Sequence, residues 1–425
     1  MTGGRFDVIV IGAGAAGLAA ARDLSGARKK VAVLEARQRI GGRIRTQHAA
    51  DMPLPIELGA EFIHGKAPDT FAIVESAALL AYQLPDDRWW ATRGKLRRIE
   101  GFWKTLHGVL ARIPPRAHDI SFADFLKKQR GLSAKTKRLA LSFVEGYHAS
   151  HADRISAASL RQSDEEQEEP KQFRIANGYD ALIESLRSGL DPERSVLRLG
   201  AEVTKVKWKR GSVEVTTRRD EVFRANAAVI TIPLGVWKSP AAIAFDPPLA
   251  EKQKAIEKLE VGHVVKVVLR FRERFWERRH EPFNFLSSAD RFVPTWWTSA
   301  PMRTPLLTGW AGGNAADALL AEPRETIPDR ALESLASALG MRRREVDGFF
   351  DSAYFHDWQA DPFSRGAYSY TGVGGENAHA ALAKPIAGTL FFAGEATSAD
   401  ETGTVSGAIK TGKTAARLLL RGSMR

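Results

Sequence analysis

Phe6 to Ile11 is apolar and β-branched apart from one acid, Asp7. That pattern predicts a strand buried on both faces in a parallel sheet. Gly12-Ala13-Gly14-Ala15-Ala16-Gly17 follows, and Leu18 to Leu24 reads as a helix whose small residues approach the sheet. A second apolar strand, Lys30 to Leu34, ends at Glu35. Val196 to Trp208 and Val213 to Thr217 alternate like a hairpin, and Ala227 to Ile232 is another apolar strand, stopped by Pro233. Residues 70–190 read mainly as helices, and 251–384 mix helix with strand. In that second stretch the best sheet candidates are Val264 to Phe271 and the strip Phe292 to Trp310. No internal repeat is evident. The class is α/β: a Rossmann-like unit, with a mixed-sheet and helical second body.

Composition narrows the chemistry. With 425 residues, two or three domains are expected at about 150 residues each. There is no cysteine, which removes disulfides, thiolate nucleophiles, Cys-ligated zinc, iron–sulfur clusters and a cofactor tethered through sulfur. It also fits a reducing, cytoplasmic setting. The net charge of +12 is scattered in short pieces such as Arg342-Arg343-Arg344, so no nucleic-acid tail is indicated. Val8 to Ala21 could pass for a signal-peptide core, but Asp7 before it and glycines within it are strand–turn–helix features. No run reaches the ~18 apolar residues of a membrane span.

The first 35 residues carry a dinucleotide fingerprint. Gly12 permits the tight turn, Gly14 lets the backbone approach a pyrophosphate, Ala16 lies on the same turn, and Gly17 allows close helix–strand packing. Glu35 follows Gly12 by 23 residues, near the ~20 at which an acid binds a ribose hydroxyl. NAD and FAD share this unit. The second glycine turn, Gly41-Gly42 followed by Arg43, favours a cofactor that reaches deeper, with Arg43 as a pyrophosphate clamp. In Val264 to Phe271, period-two alternation puts Val265, Val267, Leu269 and Phe271 on one face and Lys266 on the other, between Val264 and Val268. A lysine centred on a β-branched face needs a purpose or an exit to solvent. No HExxH, G-x-S-x-G or P-loop is present.

Leu34-Glu35-Ala36-Arg37 with Gly41-Gly42-Arg43 resembles the flavin amine oxidase superfamily. So do Glu57-Leu58-Gly59-Ala60-Glu61-Phe62-Ile63-His64-Gly65, Phe391 to Thr397 and Gly403 to Ala408. The resemblance is specific over about 1–65, 225–275 and 355–415. It implies noncovalent FAD held by a discontinuous domain, 1–75, 195–245 and 385–425, with 76–194 and 246–384 forming the substrate domain. It further implies that Gly59, Ala60 and Glu61 lie along the flavin, that Val203 meets the adenine, that Thr231-Ile232-Pro233 lies near the phosphates, and that Gly394, Glu395, Thr404 and Val405 complete the site. Lys266 matches a lysine bonded through water to flavin N5. His64 resembles a histidine of animal spermine and acetylpolyamine oxidases. Trp358 to Tyr370 resembles the stretch crossing the flavin, with Tyr368 as one wall of an amine cage. Thr404 stands where monoamine oxidases have the second ring. Ala367 replaces the cysteine that bonds to flavin in those enzymes.

The implied reaction oxidises a C–H next to an amine nitrogen by hydride transfer to flavin N5. An imine hydrolyses and O2 is reduced to hydrogen peroxide. The partners expected are a small amine, with polyamines or secondary amines favoured, and O2. Neither nucleic acid nor a membrane anchor is expected, and the oligomeric state stays open. A polycationic substrate would require Glu61 and the run Glu165 to Glu169 to reverse the basic field, although such a run is ordinarily a solvated face. Competing readings are a same-fold oxidase or desaturase of an L-amino acid or a hydrocarbon, and a flavin-binding scaffold without turnover. An amino acid oxidase needs an arginine to clamp the carboxylate, and the sequence places none.

Overall fold

The structure is a computed structural model that describes residues 5–115, 118–166, 171–240 and 242–422. One sheet gathers strands from distant parts of the chain, in the order Ser195–Arg198, Val31–Leu34, Phe6–Ile11, Val222–Ile230, Ser212–Thr217, Val203–Lys209 and Ala244–Asp246. Leu390–Phe392 also pairs with Val222–Ile230. The central pairings, Val8 with Val31 and with Ala227, and Val229 with Phe391, are parallel. Alternate residues of each strand enter different cores. Val8, Val10, Val31 and Val33 pack with helix Ala15–Gly26. Ile9, Ile11, Ala32 and Leu34 pack with the hairpin side. Burial on both faces accounts for the unbroken apolar runs.

The C-terminal helix Val405–Gly422 lies against Ala15–Gly26 so closely that a Cβ on Gly412 would fall 2.2 Å from the Ala16 carbonyl oxygen. That approach ties the two ends of the chain to one another. Tyr179, Leu182, Ile183 and Leu186 of helix Tyr179–Ser188 enter the same core as Val8 and Leu18. This helix was expected in the substrate domain by its place before residue 195, but its packing joins it to the first sheet.

The second sheet has the order Phe350–Phe355, Val264–Phe271, Leu306–Gly312, Thr295–Trp297, Phe285–Ser287, Arg88–Thr92 and Lys95–Arg98. It is mixed, since Phe285–Ser287 runs parallel to Arg88–Thr92 while the other pairings are antiparallel. Val265, Val267, Leu269 and Phe271 pack against helix Ile327–Leu339, as their alternation requires.

Two readings of the chain are corrected. Residues 70–190 hold the expected helices, among them Phe102–Leu110, Ala134–Tyr147 and Tyr179–Ser188, but they also include strands that the helical reading left out: Ala81–Gln83, Arg88–Thr92, Lys95–Arg98 and Gln172–Ile175. The signal was the Arg93-Gly94 turn, where both residues have positive φ, 49° and 76°, as a tight hairpin demands. Val196 to Trp208 is also not one hairpin arm. It divides at Leu199 to Glu202 into a parallel strand on Val31–Leu34 and the true arm Val203–Lys209, which turns at Arg210-Gly211.

Candidate active site

A single cavity of about 1230 Å³ runs between the two sheets' residues. Of the site residues proposed from sequence, all except Gly17 line it. Gly17 acts through packing, because a Cβ there would stand 1.9 Å from the Gly12 carbonyl oxygen. Gly12 has φ +107°, and a Cβ would also meet Thr231 Oγ1 at 2.6 Å. Gly14 differs: a Cβ would touch no protein atom within 4 Å and would project into open space, while Gly14 itself lines the cavity. Protein packing does not require glycine at 14, so the room it leaves fits a ligand approaching the backbone. Such a cradle at a helix start suits a pyrophosphate, and the site fits a dinucleotide-sized group.

The polar groups around this cradle are already oriented. Glu35 is buried, and its two oxygens accept from Ala13 N at 2.8 Å and Arg37 N at 2.9 Å. Arg37 reaches Asp361 at 2.6 Å and Ser364 Oγ at 2.8 Å. Arg43 Nη1 donates to Ala367 O at 2.5 Å and to Glu395 at 2.9 Å. Ser369 donates to Glu395 through both Oγ and N. Burial pushes the Glu395 carboxyl up, but the Arg43 guanidinium and the Ser369 donors outweigh it and hold it below the usual range. Arg43 thereby ties the glycine turn to the segment around Ala367. Trp358 is buried, donates to Leu58 O at 2.9 Å, and sits so near Gly59 that a Cβ there would meet its ring at 3.1 Å. Thr404 Oγ1 accepts from Gly407 N at 2.9 Å, and so caps the start of Val405–Gly422.

Lys266 lies where alternation puts it, on the face opposite Val265 and Val267, and only 2% of it is exposed. The snorkelling alternative is thereby excluded. Its Nζ donates to Gly59 O at 3.0 Å and pairs with Glu61 at 2.6 Å. Glu61 also accepts from Arg174 at 2.7 Å and from Trp297 Nε1 at 3.2 Å. One carboxylate therefore serves two buried cations. Burial raises its pKa, and the charges of Lys266 and Arg174 overcome that and bring it below the ordinary value. Nearby Glu57 goes the other way: burial lifts it to about 7 against the donors Tyr179 N and Thr46 Oγ1. The expectation that Glu61 helps reverse the basic field is corrected here, because its charge is cancelled by its own partners. Glu168, Glu169 and the side chains of Glu165 and Glu166 lie outside the described residues.

Beyond Lys266 the walls are aromatic. His64 Nδ1 is 3.4 Å from the Tyr147 hydroxyl, with ring centroids 5.5 Å apart. His64 and His148 both line the cavity and are half-buried. Burial lowers both to about 4, so both are neutral at neutral pH. Tyr368 donates to Tyr147 O at 2.6 Å and packs beside Gly403, whose Cβ would meet its ring at 2.9 Å. Phe143 stacks on Tyr147 at 4.9 Å. Trp310 Nε1 donates to Gly146 O at 2.8 Å. Arg88 also lines the cavity, held by Asp86 at 2.6 Å and set over the rings of Phe102, Trp103 and Phe285. Arg174, Trp297, Tyr147, His148, Trp310 and Arg88 were not found from sequence. Each becomes visible only when distant segments of the chain are brought together, Tyr147 and His148 from the end of helix Ala134–Tyr147 and the others from strands.

The chain matches the family described as flavin containing amine oxidoreductase over residues 15–420. The chain belongs to this family. It is accordingly a flavin-dependent amine oxidoreductase, and the expectation drawn from the motifs at both chain ends is borne out. It is 32% identical to polyamine oxidase 2 of Arabidopsis thaliana over 444 residues, covering 96% of this chain and 87% of that protein. It is 31% identical to polyamine oxidase 3 of Oryza sativa subsp. japonica over 443 residues, covering 96% and 88%. Among solved structures, cyclohexylamine oxidase from Brevibacterium oxydans IH-35A superposes with a TM-score of 0.85 at 21% identity, covering 99% of this chain and all of that one. That likeness shows the shared fold. No helix among the described residues is long and apolar enough to cross a membrane.

Proposed function

We propose that this flavin enzyme is an FAD-dependent amine oxidase that holds its cofactor noncovalently and uses O2 as acceptor. The observation that carries the reading is the continuity of one cavity lined by the glycine cradle, the buried Lys266 and the aromatic walls. Gly12 to Gly17 and the start of Ala15–Gly26 would hold the pyrophosphate, Glu35 a ribose and Val203 the adenine. Those adenosine contacts are what favour FAD over a shorter flavin. Arg43, Gly59, Ala60, Trp358, Gly394 and Val405 would surround the rest. The chain has no cysteine, and Ala367 offers no sulfur at the lining.

When bound, the flavin supplies the two-electron acceptor for a C–H bond next to the substrate nitrogen. The protein's residues do the remainder. Tyr368 and Tyr147, fixed to each other by a hydrogen bond, wall the amine and exclude water. His64, neutral by burial, keeps one ring N–H and one acceptor nitrogen, so it can accept a hydrogen bond from the amine but does not act as an imidazolium acid at neutral pH. Lys266 presents an ammonium, oriented by Glu61 and Gly59 O, as a donor to a water or to reduced oxygen.

Polyamine oxidase relatives support a polyamine or secondary amine as substrate. A second reading has its own observation. Glu61 is neutralised by its own cations and the walls are aromatic, both of which suit an amine on an apolar body. Peroxide release over a panel of polyamines, cyclic and aryl amines and amino acids tests both. Turnover of amines supports the proposal, and its distribution chooses between the readings. Turnover of amino acids alone overturns it.

A further inference from the structure

Away from the cavity just described, three side chains from separate stretches of chain converge. His151 follows helix Ala134–Tyr147, His263 sits in the turn before Val264–Phe271, and Asp317 stands in the first turn of Asn314–Leu320. His151 Nε2 is 2.7 Å from one Asp317 oxygen, and His263 Nδ1 is 2.5 Å from the other. The rings lie edge to face, 5.0 Å apart. All three ligand atoms fall within 4.8 Å of one another, the one such group among the described residues.

We propose that His151, His263 and Asp317 bind one divalent transition-metal ion of the zinc type. Two imidazoles and a carboxylate form a donor set suited to such an ion, with a remaining position left for water. Ligand bonds of about 2.0–2.2 Å need the three atoms to draw in around a common centre. The two side chains that have to turn, His263 and Asp317, are 34% and 44% exposed, which also gives an ion an entry path. The third is fixed: His151 is buried, and its other nitrogen, Nδ1, lies 3.3 Å from the Tyr370 hydroxyl. That contact serves as the outer partner that orients a ligating histidine. On binding, the His151 ring proton resides on Nδ1, facing Tyr370, and Nε2 is freed for the ion. The charge balance also favours a cation. Asp317 pairs with these two imidazoles and with no lysine or arginine among the described residues, in a chain of net charge +12. Glu145, hydrogen-bonded to Asn314 at 2.8 Å, adds a second carboxyl beside the group.

The ion would act as a clamp. His263 N donates to Ala149 O, and Gly313 N donates to His263 O. The three segments it joins therefore include the start of the strand that carries Lys266 and the end of the helix that carries Tyr147.

The test is titration of the chelator-treated holoenzyme with zinc chloride in a calorimeter, alongside His263→Asn and Asp317→Asn. The expected result is one equivalent bound by the parent and lost in both variants, with Tyr370→Phe about tenfold weaker. No stoichiometric uptake, or uptake unchanged in both variants, overturns the proposal. Zinc-soaked crystals of the parent decide the matter even if a variant fails to fold. Anomalous density among the three side chains supports the site, and density only elsewhere refutes it.

Discussion

Among the described residues, Glu61 is the sole carboxylate bonded to both Lys266 and Arg174, at 2.6 and 2.7 Å, and the two cationic side chains are only 2% and 8% exposed. Glu61→Gln keeps the shape and removes the charge, leaving two buried cations without their counter-ion. Breaking one buried pair in this way costs about 3–5 kcal/mol. Lys266→Met leaves the Glu61–Arg174 pair and the Trp297 hydrogen bond in place. Its loss is nearer that of one charge-assisted hydrogen bond, about 1.5–3 kcal/mol. Glu61→Gln is therefore expected to be the more destabilising by about 2 kcal/mol, read as a lower urea midpoint at unchanged slope. Glu57 adds a pH signature. It titrates near 7 and is coupled to Lys266, so its ionised form can take over part of the counter-charge. The gap between the two variants should narrow from pH 6 to pH 8. Equal destabilisation by the two variants, or a larger effect of Lys266→Met, would refute the one-anion, two-cation account. In turnover the order reverses: Lys266→Met retains flavin but slows the enzyme by about 10²–10³, the usual loss for one preorganised donor, and wild-type kinetics would remove its assigned role.

Gly14→Ala should fold normally but bind flavin poorly, because its Cβ meets no protein atom, whereas Gly17→Ala, driven into the Gly12 carbonyl, should fail to fold; flavin occupancy and circular dichroism separate the two. His64 and His148 are held near 4 from an ordinary 6.5, so the unfolded chain binds more protons between those values and stability falls as pH drops from 6.5 toward 4. His148→Gln should make that acid limb shallower by up to one proton, and an unchanged slope would count against a neutral buried His148. Arg88→Met should raise kcat/KM for polyamines relative to amines with apolar bodies, as one positive charge leaves the cavity wall. An unchanged ratio would place Arg88 outside substrate recognition.

The parts of the fold legible in the sequence were those governed by local rules. Phe6–Ile11, the glycine turn and Val31–Leu34 are fixed by periodicity and backbone sterics, and Lys266 could be placed on its face by counting in twos. The hairpin Arg88–Arg98 was hidden because its short strands, the last two of their sheet, are rich in arginine and tryptophan, and their pattern does not exclude helix. The Glu61 cluster was hidden for another reason. Arg174 and Trp297 reach it from strands 113 and 236 residues away in sequence, and only tertiary pairing reveals that the acid is already neutralised. Helix Tyr179–Ser188 shows the same limit, since its amphipathic face was readable but not the sheet on which it packs.

The central claim is that the cavity holds FAD without a covalent bond. Acid precipitation of the purified yellow protein, followed by chromatography of the supernatant, tests it most directly. The account predicts FAD released in equal amount to the chain, leaving a colourless pellet. A colourless starting protein, a different flavin in solution, or colour that stays with the pellet would contradict it.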